Sequence, residues 1–265
     1  MSTESSSKNF SLLDKQVASE VLLLDLFACC RVYAQNPLLD IEDAEFIKDC
    51  VSAHNNFRSK TNPPASNMFR MSWDPALAKS AKAWAKKCKF RHNSYLKIPQ
   101  QMHPTFTFVG ENIWTGTASI FSVHAALNDW FNEFKSYDFN TRSCTRICGH
   151  YTQVVWATSY KVGCAVHFCD TVENFQGLYS AAHFVCNYGP AGNYPTKPYE
   201  EGPPCSRCSN DKCMDKLCVN AEREKLISYD NWYPDWDTPS CDSYCLSVLI
   251  LRLLFLVLSA AEQEE

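Results

Sequence analysis

The chain has 265 residues, 46% of them apolar and 13% aromatic, and a formal charge of −4. That length suits one full domain with appendages, and the apolar content supports a packed core and excludes global disorder. The mildly acidic balance argues against a nucleic-acid surface, which needs a basic face.

From the N-terminus, residues 21–24 and 26–30 are apolar but Glu20 and Asp25 interrupt them. The first 34 residues therefore read as a poor signal-like leader, with a cleavage site at Val32-Tyr33-Ala34 and a mature start near Gln35. Residues 43–58 read as a helix, with Phe46, Cys50, Ala53 and Phe57 on one stripe. Asn62-Pro63-Pro64 ends it. Asp74-Pro75 marks a second helix start, an acidic N-cap followed by proline in the first turn, and Leu77, Ala81, Trp84 and Cys88 continue its stripe. A third helix begins near Ser122, with Val123, Ala126, Leu127, Trp130 and Phe134 facing inward.

After residue 148 the period changes. Residues 151–156, 162–168 and 183–188 alternate and are rich in β-branched and aromatic residues, so they are predicted strands. Gly189-Pro190-Ala191-Gly192-Asn193 closes the last, and the domain spans residues 35–200. Helices followed by antiparallel strands predict an α+β domain with helices packed on one sheet. Gly202-Pro203-Pro204 leads into a cysteine-rich hinge over 201–220. Residues 221–245 lack periodicity and read as a stalk. The apolar run over 246–258 is shorter than the about 20 residues a spanning helix needs. With the acidic end that follows, residues 246–265 form a short apolar tail suited to membrane association.

Fifteen cysteines place the chain in an oxidising compartment, extracellular or secretory, where disulfides persist. Cys205-x2-Cys208-x4-Cys213-x4-Cys218 admits two uses, disulfides or a four-thiolate zinc site, and the tight spacing favours disulfides. The odd count leaves at least one thiol unpaired within the chain.

Gly149-His150-Tyr151-Thr152-Gln153-Val154-Val155-Trp156 resembles the central signature of the CAP superfamily, which groups cysteine-rich secretory proteins, antigen 5 and plant pathogenesis-related proteins. Three further segments match in order: His54-Asn55-Asn56-Phe57-Arg58, Gly110-Glu111-Asn112-Ile113-Trp114, and Cys186-Asn187-Tyr188-Gly189-Pro190-Ala191-Gly192-Asn193-Tyr194. They cover residues 43–199, and with the apolar tail they resemble the glioma pathogenesis-related branch. The resemblance implies a disulfide-stapled three-layer α-β-α sandwich around a central antiparallel sheet, with a small cysteine-rich hinge. It also implies the bridges Cys88–Cys169, Cys164–Cys186, Cys144–Cys148, Cys205–Cys213 and Cys208–Cys218. Cys50, Cys241 and Cys245 have no assigned partner in that scheme.

The resemblance further implies a cleft tetrad at His92, Glu111, Glu133 and His150. Two imidazoles and two carboxylates make a divalent-metal site suited to zinc, or hold one another by His–Glu hydrogen bonds. In a hydrolase the histidines would be ligands and Glu111 or Glu133 the base for water. Neither Gly-x-Ser-x-Gly nor His-Glu-x-x-His occurs, so a non-enzymatic binding module is the expectation. It would offer its cleft and groove to a protein or to a lipid such as a sterol or fatty acid, with zinc as its cofactor. A tethered adhesion or assembly protein is a further reading. His54 reads as structural, His103, His124, His167 and His183 as incidental or packing, and Trp114 and Trp156 as core.

Overall fold

The computed structural model describes residues 40–236. The leader, Cys29, Cys30, Cys241, Cys245 and the apolar tail lie outside the described residues. Helix α1 spans Ala44–Arg58 and starts where Asp43 accepts the Phe46 N–H. Helix α2 spans Pro75–Ala85, and Asp74 accepts the N–H groups of Ala76 and Leu77. Helix α3 spans Val123–Asn132 behind an Ser122 N-cap. Each cap answers N–H groups that a helix's first turn leaves without internal partners.

The sheet contains β1 (Ser72–Trp73), β2 (Gly110–Thr117), β3 (Lys161–Val172) and β4 (Phe175–Gly189) in the order β1-β3-β4-β2. All pairings are antiparallel except the two-residue contact of β1 with β3. Because side chains alternate across a strand, the register sorts them into two layers. Trp114, Phe184 and Val166 line up across β2, β4 and β3 and pack with α1 and α3 residues such as Phe46 and Leu127. Ile113, Val185 and Ala165 line up on the other face and pack under Ala81, Trp84 and Ala85 of α2. This is the α-β-α sandwich.

Two elements depart from the sequence expectation. Residues 151–156 are not a strand: Gly149–Val154 forms a short helix, α4, followed by a turn. Its Val-Val-Trp run has strand-like composition, but distant side chains complete both helix ends. Glu133 Oε2 accepts the N–H groups of His150 and Tyr151 at 3.0 and 3.1 Å. Arg58 Nη1 donates to the carbonyls of Val154 and Trp156, each at 2.8 Å. Tertiary contacts override local propensity here. Strand β2 coincides with the Gly-Glu-Asn segment, whose buried core positions do not alternate with polar ones clearly enough to announce a strand.

Among the described residues, five disulfides join Cys88–Cys169, Cys144–Cys148, Cys164–Cys186, Cys205–Cys213 and Cys208–Cys218. Cys50 is a free, buried thiol. The hinge folds as a ribbon of β5 (Lys212–Met214) and β6 (Leu217–Val219) and is stitched onto the sandwich. The Cys218 N–H donates to Met68 O at 2.8 Å, its carbonyl accepts from Arg70 N at 3.0 Å, and Leu217 enters the main core. After a one-turn helix, α5 (Ala221–Glu224), residues 225–236 lie against the domain. Lys161 Nζ donates to Lys225 O at 2.8 Å, Lys79 Nζ to Tyr229 O at 2.6 Å, and Trp236 Nε1 to Gln101 O at 3.0 Å. The segment that lacks periodicity is thus held by side chains of the domain, at least as far as Trp236.

Candidate functional site

Glu111 shares a face of β2 with Ile113, so its carboxyl points toward the α2 layer, where the chain leaving α2 carries His92 and Asn93. Glu111 Oε1 accepts from His92 Nδ1 and from the Asn93 N–H, both at 2.9 Å. Its side chain is fully buried, and Oε2 is buried without a hydrogen-bond partner. Burial raises the Glu111 pKa above the ordinary carboxylate value. The hydrogen bond to that carboxylate raises His92, because it favours the imidazolium. The His92 side chain is 62% exposed.

The second pair comes from the opposite layer. Glu133 opens the 3-10 turn Glu133–Ser136 behind α3, and His150 lies in the first turn of α4. Glu133 Oε1 accepts from His150 Nδ1 at 2.6 Å, while Oε2 takes the two backbone N–H groups described above. One carboxylate therefore caps the helix and orients the imidazole at once. The indole of Trp130 stacks on the His150 ring with centroids 6.0 Å apart.

The structure joins the four residues as two separate His–Glu pairs beside edge strand β2. Asn112 Nδ2 donates to His150 O at 3.0 Å, and Trp130 Nε1 donates to Ile113 O at 3.4 Å, so both neighbours of the strand hold the second pair in place. The carboxylate oxygens that would serve as ligands are already accepting hydrogen bonds, Glu111 Oε2 excepted. What the arrangement offers a cation is the Nε2 of two imidazoles, each with Nδ1–H donated to a carboxylate. That is the usual support for a metal-ligating histidine, fixing the tautomer and raising ligand basicity. Each imidazole, with a carboxylate behind it, thus has the chemistry of a supported metal ligand.

Two other groupings place histidine and cysteine donor atoms within 4.8 Å of one another: His54 with Cys164 and Cys186, and His167 with Cys88 and Cys169. In both, the two cysteines form a disulfide. A disulfide sulfur has no thiolate to give, so neither group supplies the anionic ligands of a structural zinc site.

His54 is the structural histidine expected from its place on α1. Its Nδ1–H donates to Cys50 O at 2.7 Å, and its Nε2 accepts from the Tyr188 hydroxyl at 2.9 Å. Asn112 Nδ2 also donates to that hydroxyl at 3.3 Å, which ties the helix α1 network to His150. Asn93, Asn112, Trp130 and Tyr188 are the site residues that motif reading alone did not single out. Asn112 and Tyr188 lay inside quoted motifs, and Trp130 lay on the inward stripe of α3, but nothing local distinguished support from packing.

Beside α4 the two longest signature segments meet. Gly149, Thr152 and Trp156 face Asn193 and Tyr194 across a groove of about 440 Å³ that Arg142 and the Cys144–Cys148 loop also line. Thr152 donates to Asn193 Oδ1 at 2.6 Å and Asn193 Nδ2 donates to Gly149 O at 2.9 Å, which fixes the floor. A second hollow of about 660 Å³ shares Trp156 and Tyr194. Trp156 is buried and Tyr194 exposed, so the two rings form a wall with one open edge.

The family model described as the cysteine-rich secretory protein family matches residues 51–188. Glioma pathogenesis-related protein 1 of Mus musculus is 50% identical over 229 residues, 86% of each chain. GLIPR1-like protein 1 of Bos taurus is 49% identical over 83% of this chain and 92% of its own. Among solved structures, the crystal structure of NaASP2 with Zn2+ superposes with a TM-score of 0.52 at 28% identity, covering 67% of this chain and 96% of that one.

Proposed function

The chain belongs to the cysteine-rich secretory protein (CAP) family, and from that premise we propose that it is a non-enzymatic extracellular binding module. It presents the His/Glu cleft and the groove beside α4 to a protein or lipid partner, with zinc held at Nε2 of His92 and His150.

The observation that carries this reading is the commitment of the two carboxylates. A hydrolytic glutamate must reach a water and take its proton. Glu133 spends one oxygen on His150 and the other on two backbone N–H groups. Glu111 has a fully buried side chain. Both act through the imidazoles, not on a substrate. A neighbour solved with Zn2+ supports the choice of metal, and the Nδ1–H to carboxylate bonds supply the orientation a zinc ligand needs. Bound zinc would add a Lewis-acidic positive centre to the cleft. The open Trp156–Tyr194 wall supports capture of a partner alongside it. Extracellular placement is supported by the five disulfides. No helix among the described residues is long and apolar enough to cross a membrane, and the tethered reading rests on the tail outside them.

Calorimetric titration of zinc into the purified chain tests the cofactor. Binding is expected in the parent protein, absent in His92→Ala/His150→Ala, and weakened about 10–100-fold in Glu133→Gln. Binding retained by the double variant would remove the proposed site. A peptide-hydrolysis assay tests the class of activity: zinc-dependent turnover abolished by Glu111→Gln would replace the binding module with the hydrolase.

A further inference from the structure

Arg58 carries a positive charge into the interior with no negative one to meet it. The residue is 1% exposed. Nε donates to Phe69 O, Nη1 to the carbonyls of Val154 and Trp156, and Nη2 to those of Phe69, Ala157 and Ser159. Neutral carbonyls thus occupy all five N–H groups of the guanidinium. Burial lowers its pKa to about 9, so the group is charged at neutral pH. A buried charge is ordinarily offset by a counter-charge, and no carboxylate is among these partners.

Arg58 also lines a pocket of about 240 Å³ where the end of α1 meets the hinge. Lys60 and Thr61 line it from the turn after α1, and Pro204 and Lys216 line it from the hinge. Both lysines are exposed, and neither ammonium takes part in a hydrogen bond or an ion pair among the described residues. Asp215 beside Lys216 and Glu201 before Pro204 do not line the pocket, so its wall holds three cations and no acid. The carbonyl end of α1 opposes them with only about half a negative charge. Part of that end is already engaged, since Asn55 O and Phe57 O accept the N–H groups of Ser59 and Lys60.

The backbone under both lysines is fixed. Lys216 lies in the β5–β6 turn at φ 65°, a left-handed conformation that glycine adopts more readily. Leu217 beside it enters the main core, and the Cys218 N–H donates to Met68 O. Binding would therefore order two side chains and no loop.

We infer that this pocket binds a tetrahedral dianion, a phosphate or sulfate. The volume lies below the about 300 Å³ at which sites for drug-sized ligands begin, which suits one such group. The ammonium groups of Lys60 and Lys216 donate to its oxygens as point charges. Arg58, with every N–H engaged, contributes charge alone. A dianion balances three cations more closely than a carboxylate does. The site lies apart from the function proposed above, since it uses none of the four cleft residues.

Calorimetric titration of the full chain with sodium sulfate, phosphate or acetate, at ionic strength fixed with chloride, is the test. Sulfate and phosphate are expected to bind at one site, and acetate about tenfold more weakly. Lys60→Ala/Lys216→Ala is expected to weaken sulfate binding about tenfold or more, and Lys60→Arg/Lys216→Arg to retain it. Lys48→Ala/Lys97→Ala removes the same charge elsewhere and is expected to leave binding unchanged. Phenyl phosphate separates the sources: binding tighter than inorganic phosphate assigns the pocket to a phosphate ester, and weaker binding assigns it to the free ion. No binding of sulfate or phosphate, equal weakening by the two alanine variants, or acetate bound as tightly as sulfate would overturn the assignment.

Discussion

His54 shows how a single residue can be structural and still couple the core to pH. It is completely buried, with one ring nitrogen donating to Cys50 O and the other accepting from Tyr188. Burial, aided by the neighbouring Arg58 charge, pushes its pKa from 6.5 to about 4. His183, also buried, is lowered to about 4 by burial and by His167. The unfolded chain takes up protons near pH 6.5, while the folded chain resists until about pH 4. The stability these neutral rings provide is full above 6.5 and is lost as pH falls through that window, at about 3 kcal/mol for His54. Urea unfolding at stepped pH should show the decline, and the ring proton resonances of folded His54 should not titrate above pH 5. A folded-state titration near 6.5 would contradict the network. Residue roles of this kind were only partly legible in the chain. His54 read as structural from its place on a helical stripe, but its partner Tyr188 is 134 residues away.

At the scale of elements, two close fits decide how layers meet. Arg58 ends α1 fully buried, and its guanidinium donates to the carbonyls of Phe69, Val154, Trp156, Ala157 and Ser159. Desolvation lowers its pKa to about 9, still charged at neutral pH. Arg58→Met would leave those carbonyls unmet and is expected to destabilise the fold by roughly 3 kcal/mol or more in chemical denaturation. Arg58→Lys should rescue little, since one ammonium cannot reproduce the planar fork. A loss below about 1 kcal/mol would mean that water replaces the side chain freely. On the other face, Gly163 of β3 meets helix α2 backbone to backbone. A methyl there would lie 2.1 Å from the Ala78 nitrogen. Gly163→Ala should cost about 1–3 kcal/mol by forcing the α2 layer outward, read as a drop in the denaturation midpoint; an unchanged midpoint would show that the layer is free to shift. The helices were legible in advance because their caps and apolar stripes are local signals. Helix α4 was not, since Glu133 and Arg58 complete its ends from outside the segment.

At the scale of the whole molecule, covalent links join what sequence separates. Cys88 and Cys169 are 81 residues apart, so reducing that pair to serines should remove about 4 kcal/mol by freeing the unfolded chain. Thermal unfolding of the double serine variant measures it, and an unchanged midpoint would contradict the role. The hinge and the segment through Trp236 enlarge the sandwich rather than hang from it. Leu217 lies in the main core, and Trp236 stacks on Tyr95 at 5.1 Å.

The amino-acid sequence by itself determined the α+β class, three helix starts and the family, because caps, apolar periods and long motifs are local patterns. Only the tertiary structure decided that His92 pairs with Glu111 and His150 with Glu133, beside an edge strand. It also decided that a β-branched run turns helical. Those outcomes depend on which distant group satisfies a buried donor, acceptor or charge, and that choice is made only when the layers pack.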